Sequence, residues 1–391
     1  MRLQTDLKLF NRKERNILKY EFVATCLFGL EKYVGEEIDA LGYTRTETID
    51  GRITFEGDIS AIARCNMWLR CAERVYIKMG SFKCESFNDL FEGTRALPWE
   101  NWIGKDDAFP VKGHSVRSAL TSIPDCQSIV KKAVVDRLGQ EYGISWFEEE
   151  GVKYQIDFFI LNNVATLMID TSGDPLYKRG YRVETGEAPL RETLACALAK
   201  TSRPRENVLF WDPFCGSGTI PIEAALLMTN TAPGNFRSFV SEDFFDISPK
   251  VWSDAREEAA SLQKLDTEFA AYASDISPQM VEKAQANVKR ARMEKYIKCF
   301  CKDALTLGSG GMRGSIICNP PYGERLMTPY QVHKLYSEMG KTFAKLPNWQ
   351  IYILTSDEAF ERYYGKKADK IRKLYNGMLK CNLYQYYKPS R

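Results

Sequence analysis

The chain has 391 residues, 44% hydrophobic and 27% charged, with a net charge of only +3. That length accommodates two or three domains with sizeable cores, and the composition is that of a soluble globular protein. The near balance of charge excludes a uniformly basic nucleic-acid binder, so any basic surface must be local. Eleven cysteines occur without a CxxC pair, and the two histidines, His114 and His333, lie far apart. Metal-ligand spacing is therefore missing and no metal is expected, while scattered odd cysteines suit a reducing cytoplasm. No long apolar run opens the chain, so neither a signal peptide nor a membrane span is expected. Residues 1–20 read as a basic, solvated tail carrying Arg12, Lys13, Arg15 and Lys19.

In chain order, EFVATCLFG from Glu21 predicts a strand, and Leu30, Val34, Ile38 and Leu41 recur at helical spacing closed by Gly42. A hairpin over Thr44 to Phe55 turns at Asp50-Gly51, then a helix over Ile59 to Ala72 and a strand over Arg74 to Phe82 complete β-α-β-β-α-β, the pattern of a ferredoxin-like unit. Ser86 to Trp102 reads as a helix interrupted by Pro98, Phe109 to Arg117 as a strand and Pro124 to Tyr142 as a helix. Paired strands around Asn162-Asn163 close this part. Ser122 and Gln127 stand at the start of the long helix, with Lys131 and Lys132 further along it. Such a helix start is a seat for phosphate; the plain alternative is a capped, solvated helix.

The second half opens with an apolar strand, Asn207 to Trp211, followed by Asp212-Pro213-Phe214-Cys215-Gly216-Ser217-Gly218-Thr219 and an apolar helix. Strand, Gly-rich turn and helix begin a doubly wound α/β domain, whose ligand sits at the carboxyl ends of the strands. Gly216 and Gly218 allow a tight turn and close approach of a ligand, and the helix start after Thr219 favours an anionic group. A dinucleotide fingerprint fails because position 221 is Pro where the third glycine belongs, and no Gly-Lys-Ser/Thr completes a phosphate loop. Asp275-Ile276 ends a second strand, where a carboxylate can accept both hydroxyls of a ribose, and Asp303-Ala304 ends a third. Each Asp alone is more often a cap or turn residue; their order, each closing a strand, is the stronger signal. Thr231 to Gln263 is an insertion whose aromatics are expected to pack in the core. A strand at Gln350 to Thr355 and a hairpin through Asn376-Gly377 end the chain.

Between these lies Ile316-Ile317-Cys318-Asn319-Pro320-Pro321-Tyr322, an apolar strand broken by two prolines that fix a stiff, extended exit. The Asn319 side-chain oxygen and the Pro320 carbonyl can each accept one N–H of a planar amine, with the Tyr322 ring to stack on the base. The tetrapeptide resembles the catalytic motif of amino-group methyltransferases that use S-adenosylmethionine. Together with ATCLFGLE, LYKRGYR, APLRETL, DPFCGSGTIPIEAAL, SDISPQM, NPPYGERL and KLYNGMLKCNLYQYY, it makes the chain resemble the THUMP-containing RNA guanine N2-methyltransferases, the bacterial 23S rRNA enzymes in particular.

The resemblance implies a Rossmann-like, seven-stranded class I methyltransferase domain (188–391) behind a ferredoxin-like unit (21–83), a THUMP domain (84–172) and a linker (173–187). It implies that the front half grips RNA. It also implies that Asp212 to Thr219 receive the methionine end of S-adenosylmethionine, with Arg191 or Thr193 nearby, Asp275 and Ile276 the ribose, and Asp303 and Ala304 the adenine. The fused bacterial form carries a second methyltransferase unit that this sequence lacks, so only N2 methylation is expected. Adenine-N6 or tRNA methylation, protein-glutamine methylation and a non-catalytic RNA-binding assembly factor are the alternatives.

Overall fold

The computed structural model describes residues 19–182, 190–308, 310–322 and 327–387. The basic tail up to residue 18, residues 188 and 189 of the APLRETL string, and residues 323–326 of NPPYGERL lie outside these. The front half begins with β1 (Tyr20–Cys26), α1 (Glu31–Ala40), β2 (Thr44–Ile49), β3 (Arg52–Gly57), α2 (Ser60–Trp68) and β4 (Ala72–Lys83), in the expected order. Ile49 faces Arg52 across the first hairpin, which leaves Asp50 and Gly51 as its turn, with Gly51 at φ 74°. There follow α3 (Phe87–Arg95), β5 (Val111–Val116), α4 (Ile123–Tyr142), β6 (Ile156–Leu161) and β7 (Val164–Asp170). Ser86 and Asp89 cap α3 reciprocally, and beyond its end Pro98 precedes a single 3₁₀ turn, Trp99–Asn101.

The ferredoxin-like and THUMP stretches do not make separate sheets. β4 pairs with β1 over Ala72 to Ile77 and with β7 over Tyr76 to Lys83. Seven strands therefore form one sheet, β2-β3-β1-β4-β7-β6-β5, and the boundary expected at residues 83 and 84 falls at the end of a strand that serves both stretches.

The second half contains α5 (Glu192–Ser202), β8 (Leu209–Asp212), α6 (Thr219–Met228), α7 (Pro249–Ser261), β9 (Ala271–Asp275), α8 (Pro278–Arg290), β10 (Ile297–Cys301), β11 (Gly314–Cys318), α9 (Pro329–Phe343), β12 (Trp349–Thr355), α10 (Phe360–Tyr364), β13 (Lys370–Asn376) and β14 (Leu379–Tyr386). The sheet order is β10-β9-β8-β11-β12-β14-β13. β14 runs antiparallel to both neighbours, and the other pairings are parallel. Every residue of β8 and β11 is buried, as central parallel strands covered on both faces must be. β8 lies between β9 and β11, so the order reverses there, and the crevice for a ligand opens at the carboxyl ends of these strands. The last hairpin turns one residue later than expected. Asn376 pairs with Leu379, so Gly377 and Met378 make the turn and the φ of 64° falls on glycine.

The insertion after α6 joins the two halves. Phe239, Phe244 and Trp252 are buried as expected, but partly against the front half: Phe244 stacks on Tyr154 with centroids 4.1 Å apart. Phe245, by contrast, is 59% exposed. Arg64 of α2 forks onto Glu258 of α7 at 2.8 and 2.7 Å. Gly234 runs so close to α2 that a Cβ there would lie 2.8 Å from Met67 Cα, which explains the absent side chain. Arg237 donates to the carbonyls of Asp174 at 2.6 Å and Pro175 at 2.5 Å, fixing the linker. Below it, Arg179 and Glu223 form a fully buried ion pair at 3.4 Å, joined by Tyr181 at 3.0 Å. Truncating Phe244 to Ala removes a ring buried between the halves and should cost about 3–5 kcal/mol. Urea unfolding checks this; a loss below about 1 kcal/mol would mean that the stack does not hold the halves together.

Candidate active site

The carboxyl edge of the second sheet is built from four strand ends. β8 ends in Asp212, which is 1% exposed and accepts Phe214 N–H at 3.0 Å, folding the chain back over its own carboxylate. Burial pushes this carboxyl well above the usual carboxylate range; the Phe214 N–H opposes the shift and the nearby Asp275 charge adds to it. The turn continues through Cys215, whose N–H reaches Ser274 O at 2.9 Å, to Gly216 at φ 50° and Gly218 at φ 81°. Gly218 cannot carry a side chain easily, because a Cβ would come within 3.2 Å of Ala284 on α8. Gly216 differs. A Cβ there would meet nothing within 4 Å, so its bare backbone borders open space.

Asp275, at the end of β9, accepts Gly216 N–H and Ser277 N–H, each at 3.0 Å. Beside it Ile276 is 68% exposed, an apolar side chain standing at the rim of a polar crevice. Lys302 N–H bonds to Asp275 O at 2.9 Å and brings the end of β10 alongside; Asp303 then accepts Leu305 N–H at 2.8 Å. α6 starts without a side-chain cap, so its first N–H groups remain available to a ligand. Arg182 bonds to Thr219 Oγ1 at that point, adding a positive charge to the helix start.

On the other side of β8, β11 delivers Asn319. Its Oδ1 is buried and, among the described residues, has no hydrogen-bond partner. An acceptor left in that state is costly unless a ligand donates to it. Pro320 is buried, and the Pro321 carbonyl accepts from Tyr336 OH at 3.5 Å, which itself bonds to Thr355 at 2.9 Å. Tyr322 is half-buried, its hydroxyl 4.0 Å from Cys381 Sγ on β14; burial pushes its phenol up, so it stays neutral. Asp212, Gly216, Asp275, Asp303 and Asn319 thus share one edge. Two neighbouring carboxylates suit a cation, the open helix start an anion, and the orphaned amide oxygen an N–H donor.

Other sequence candidates are elsewhere. Arg191 and Thr193 both bond to Glu73 of β4 at 2.6 Å, so in this structure they tie α5 to the front half. Lys131 is taken up by Glu149 and by the Phe109 carbonyl, with its ammonium 3.5 Å from the Phe109 ring centre. Burial lowers its pKa, the opposite of what a phosphate ligand needs. Ser122 and Gln127 stand at the start of α4, while Lys132 lies exposed at mid-helix, its ammonium 5.8 Å from the Phe91 ring centre. Sequence reasoning assigned no role to Glu73, Arg182 or Glu192, because it did not show which side chains the fold pairs with them. Arg182 and Glu192 had a signal, their places in the LYKRGYR and APLRETL strings; Glu73 had none.

Comparison with known proteins agrees with this layout. The UPF0020 family, described as an RMKL-like methyltransferase domain, matches residues 179–385. An RlmL ferredoxin-like domain matches residues 21–76 and a THUMP domain residues 84–170. YpsC of Bacillus subtilis (strain 168), provisionally named an RNA methyltransferase, is 44% identical over 95% of this chain and 97% of its own. Ribosomal RNA large subunit methyltransferase K/L of Aliivibrio salmonicida (strain LFI1238) is 33% identical over 92% of this chain, which spans only 52% of that protein. The crystal structure of SMU.472, provisionally named a methyltransferase and solved with SAH, superposes with a TM-score of 0.88 at 40% identity, covering 95% of this chain and 99% of that one.

Glu192 makes this region sensitive to pH. Burial pushes its carboxyl up to about 7, against the pull of Arg182 at 3.5 Å, from an ordinary value of 4.5. The folded chain therefore keeps a proton that the unfolded chain has released, so this contribution is full below 4.5 and is lost as pH rises through about 7. Glu192→Gln should remove it. Between roughly pH 4.5 and 7.5 the wild type should lose about 3 kcal/mol relative to the variant, read by urea unfolding. A gap that does not change with pH would mean that the carboxyl is already ionised in the fold.

Proposed function

The chain belongs to the RMKL-like methyltransferase family, which uses S-adenosylmethionine, and from that premise we propose that it methylates the exocyclic N2 amine of a guanine in RNA, specifically large-subunit ribosomal RNA. The observation that carries the reading is Asn319 Oδ1, a buried acceptor without a partner at the carboxyl end of β11, held there by two prolines. The THUMP match and the names of the relatives support RNA as the carrier of the base.

The cofactor fits the residues present. It is cationic at its ammonium and at its sulfonium, and the edge offers the buried Asp212 beside the half-buried Asp275. We assign Asp212 to the ammonium, the N–H groups at the start of α6 to the carboxylate, and Asp275 to the ribose hydroxyls. Asp303 and the exposed Ile276 take the amino edge and a face of the adenine, and Gly216 gives the backbone room to approach. When bound, S-adenosylmethionine supplies a methyl group activated by its sulfonium.

The chain then has to orient a poor nucleophile. The lone pair of a guanine amine is delocalised into the ring. Asn319 Oδ1 and the Pro320 carbonyl each accept one N–H, which fixes the plane of the amine and turns the lone pair outward. Proximity and alignment of this kind lower the barrier without a strong base. The surplus proton rests against these same oxygens before it leaves to water. The base must leave its stack to reach the edge, and stacking on Tyr322 offsets about 1–3 kcal/mol of that cost.

Labelled cofactor and unmodified ribosomal RNA, followed by digestion to nucleosides, test the reading: the expected product is N2-methylguanosine. Methyladenosine would move the target base, and label in tRNA alone would move the substrate. Asn319→Ala should lower kcat by about 10²–10³-fold, as the loss of one oriented hydrogen bond does at other catalytic sites, with S-adenosylhomocysteine affinity nearly unchanged. Full turnover in that variant would remove Asn319 from the chemistry.

A further inference from the structure

A cavity of about 620 Å³ opens at the amino ends of β8, β11 and β12, away from the edge described above. Gly314 lines it, and Asn319 follows the other end of the same five-residue strand, β11. At about 3.3 Å per residue the cavity and the reacting amide are roughly 16 Å apart, on opposite edges of the sheet. Its walls come from both halves of the protein, because Tyr33 and Glu36 of α1 face the strand ends across it.

The charge of this cavity is one-sided. Arg203, Arg205, Arg313 and Lys370 line it, all exposed, and among the described residues none of them forms an ion pair. Glu36 is the single acidic residue in the lining, and Lys32 stands 3.6 Å from it. Lys200 and Arg372 are already engaged, the first with Glu37 and the second with Tyr33 OH and Gly29 O. Four positive charges without ion-pair partners among the described residues thus line one space, against the single acid Glu36.

A second, independent feature lies in the lining. Gln385 is 2% exposed, and its Oε1 accepts Tyr387 OH at 2.7 Å. Its Nε2 is buried and, among the described residues, has no acceptor. A buried amide donor needs an acceptor oxygen, and the unpaired cations beside it favour an anionic one. The space is larger than one phosphate and accommodates a phosphate with its neighbouring sugar or a second phosphate.

We propose that this cavity is a phosphate-binding site, separate from the reaction centre, that takes phosphodiesters of the RNA strand or the phosphates of a free polyphosphate compound. The RNA source rests on the function proposed above; the site itself does not. A phosphate seated there bridges the front half and the methyltransferase sheet.

The test uses the full chain and the double variant Arg205→Glu/Arg313→Glu, with Arg203→Gln/Lys370→Gln as a second pair. All four side chains are exposed, so S-adenosylhomocysteine binding serves as the check on folding. The probes are an unmodified 23S rRNA transcript and sodium tripolyphosphate. If RNA occupies the cavity, each pair should make the salt dependence of RNA binding shallower by about 1.4–1.8 in log–log slope, the share of two phosphate contacts. If a free compound occupies it, RNA binding stays unchanged, while tripolyphosphate raises the Tm of the wild type by several degrees and that of neither variant. A wild type that does not bind RNA sinks the RNA reading and leaves tripolyphosphate to decide the site. Equal responses of wild type and both variants to both probes overturn the proposal.

Discussion

The arrangement of the whole protein depends on one ion pair that water does not reach. Arg179 of the linker is 1% exposed, and Glu223 on α6 is fully buried. An isolated charge in either place would be prohibitive, so each residue requires the other and the hydrogen bonds around them. Arg179 spends its remaining donors on the carbonyls of Arg70 and Leu176, which belong to the front half and the linker. Tyr181 adds its hydroxyl to the same carboxylate. The helix that carries Glu223 is the one whose first turn closes the Gly-rich loop. The orientation of the front half and the position of the candidate active site are therefore set by the same few atoms.

Around that centre the contacts between the halves accumulate. Glu73 on β4 holds Arg191 and Thr193, Glu258 holds Arg64, and the Tyr154–Phe244 stack closes the far side. None of these is a large surface ion-pair network; the polar ones are partly buried, directional contacts, and the ring stack is fully buried. The ion pairs among them add less to stability than the stack does, and fix the orientation of the side chains they join. That suits a protein whose proposed task is to present a gripped substrate to a fixed edge.

Much of this edge was legible in the sequence, because its determinants are local. Asp212 and Asp275 each close a strand and Asp303 follows one by two residues, and each bonds to an N–H two residues further on, a turn that needs no distant partner. The apolar run before Asn319 and the two prolines after it announce their backbone in the same way. Contacts between distant residues were not legible. Nothing in a helical lysine reports that Glu149 will claim Lys131, and nothing near Arg191 or Thr193 points to Glu73. The merging of two expected units into one sheet escaped for the same reason, since β4 and β7 are separated by three other elements and a long helix. The final hairpin slipped by one position because Asn and Gly both tolerate the left-handed turn, and only the pairing decides between them.

The shared strand β4 also has a consequence for how the chain reaches its native state. The THUMP stretch owns no complete sheet, because its β7 pairs with β4 of the ferredoxin-like stretch. Without β4, β1 and β7 would each expose a row of unpaired amides and carbonyls, a template for aggregation. The THUMP stretch completes its pairing only when β7 reaches β4, after a long loop has closed. Long-range pairing of this sort folds slowly, and the chain emerging from the ribosome holds an open edge until β7 arrives.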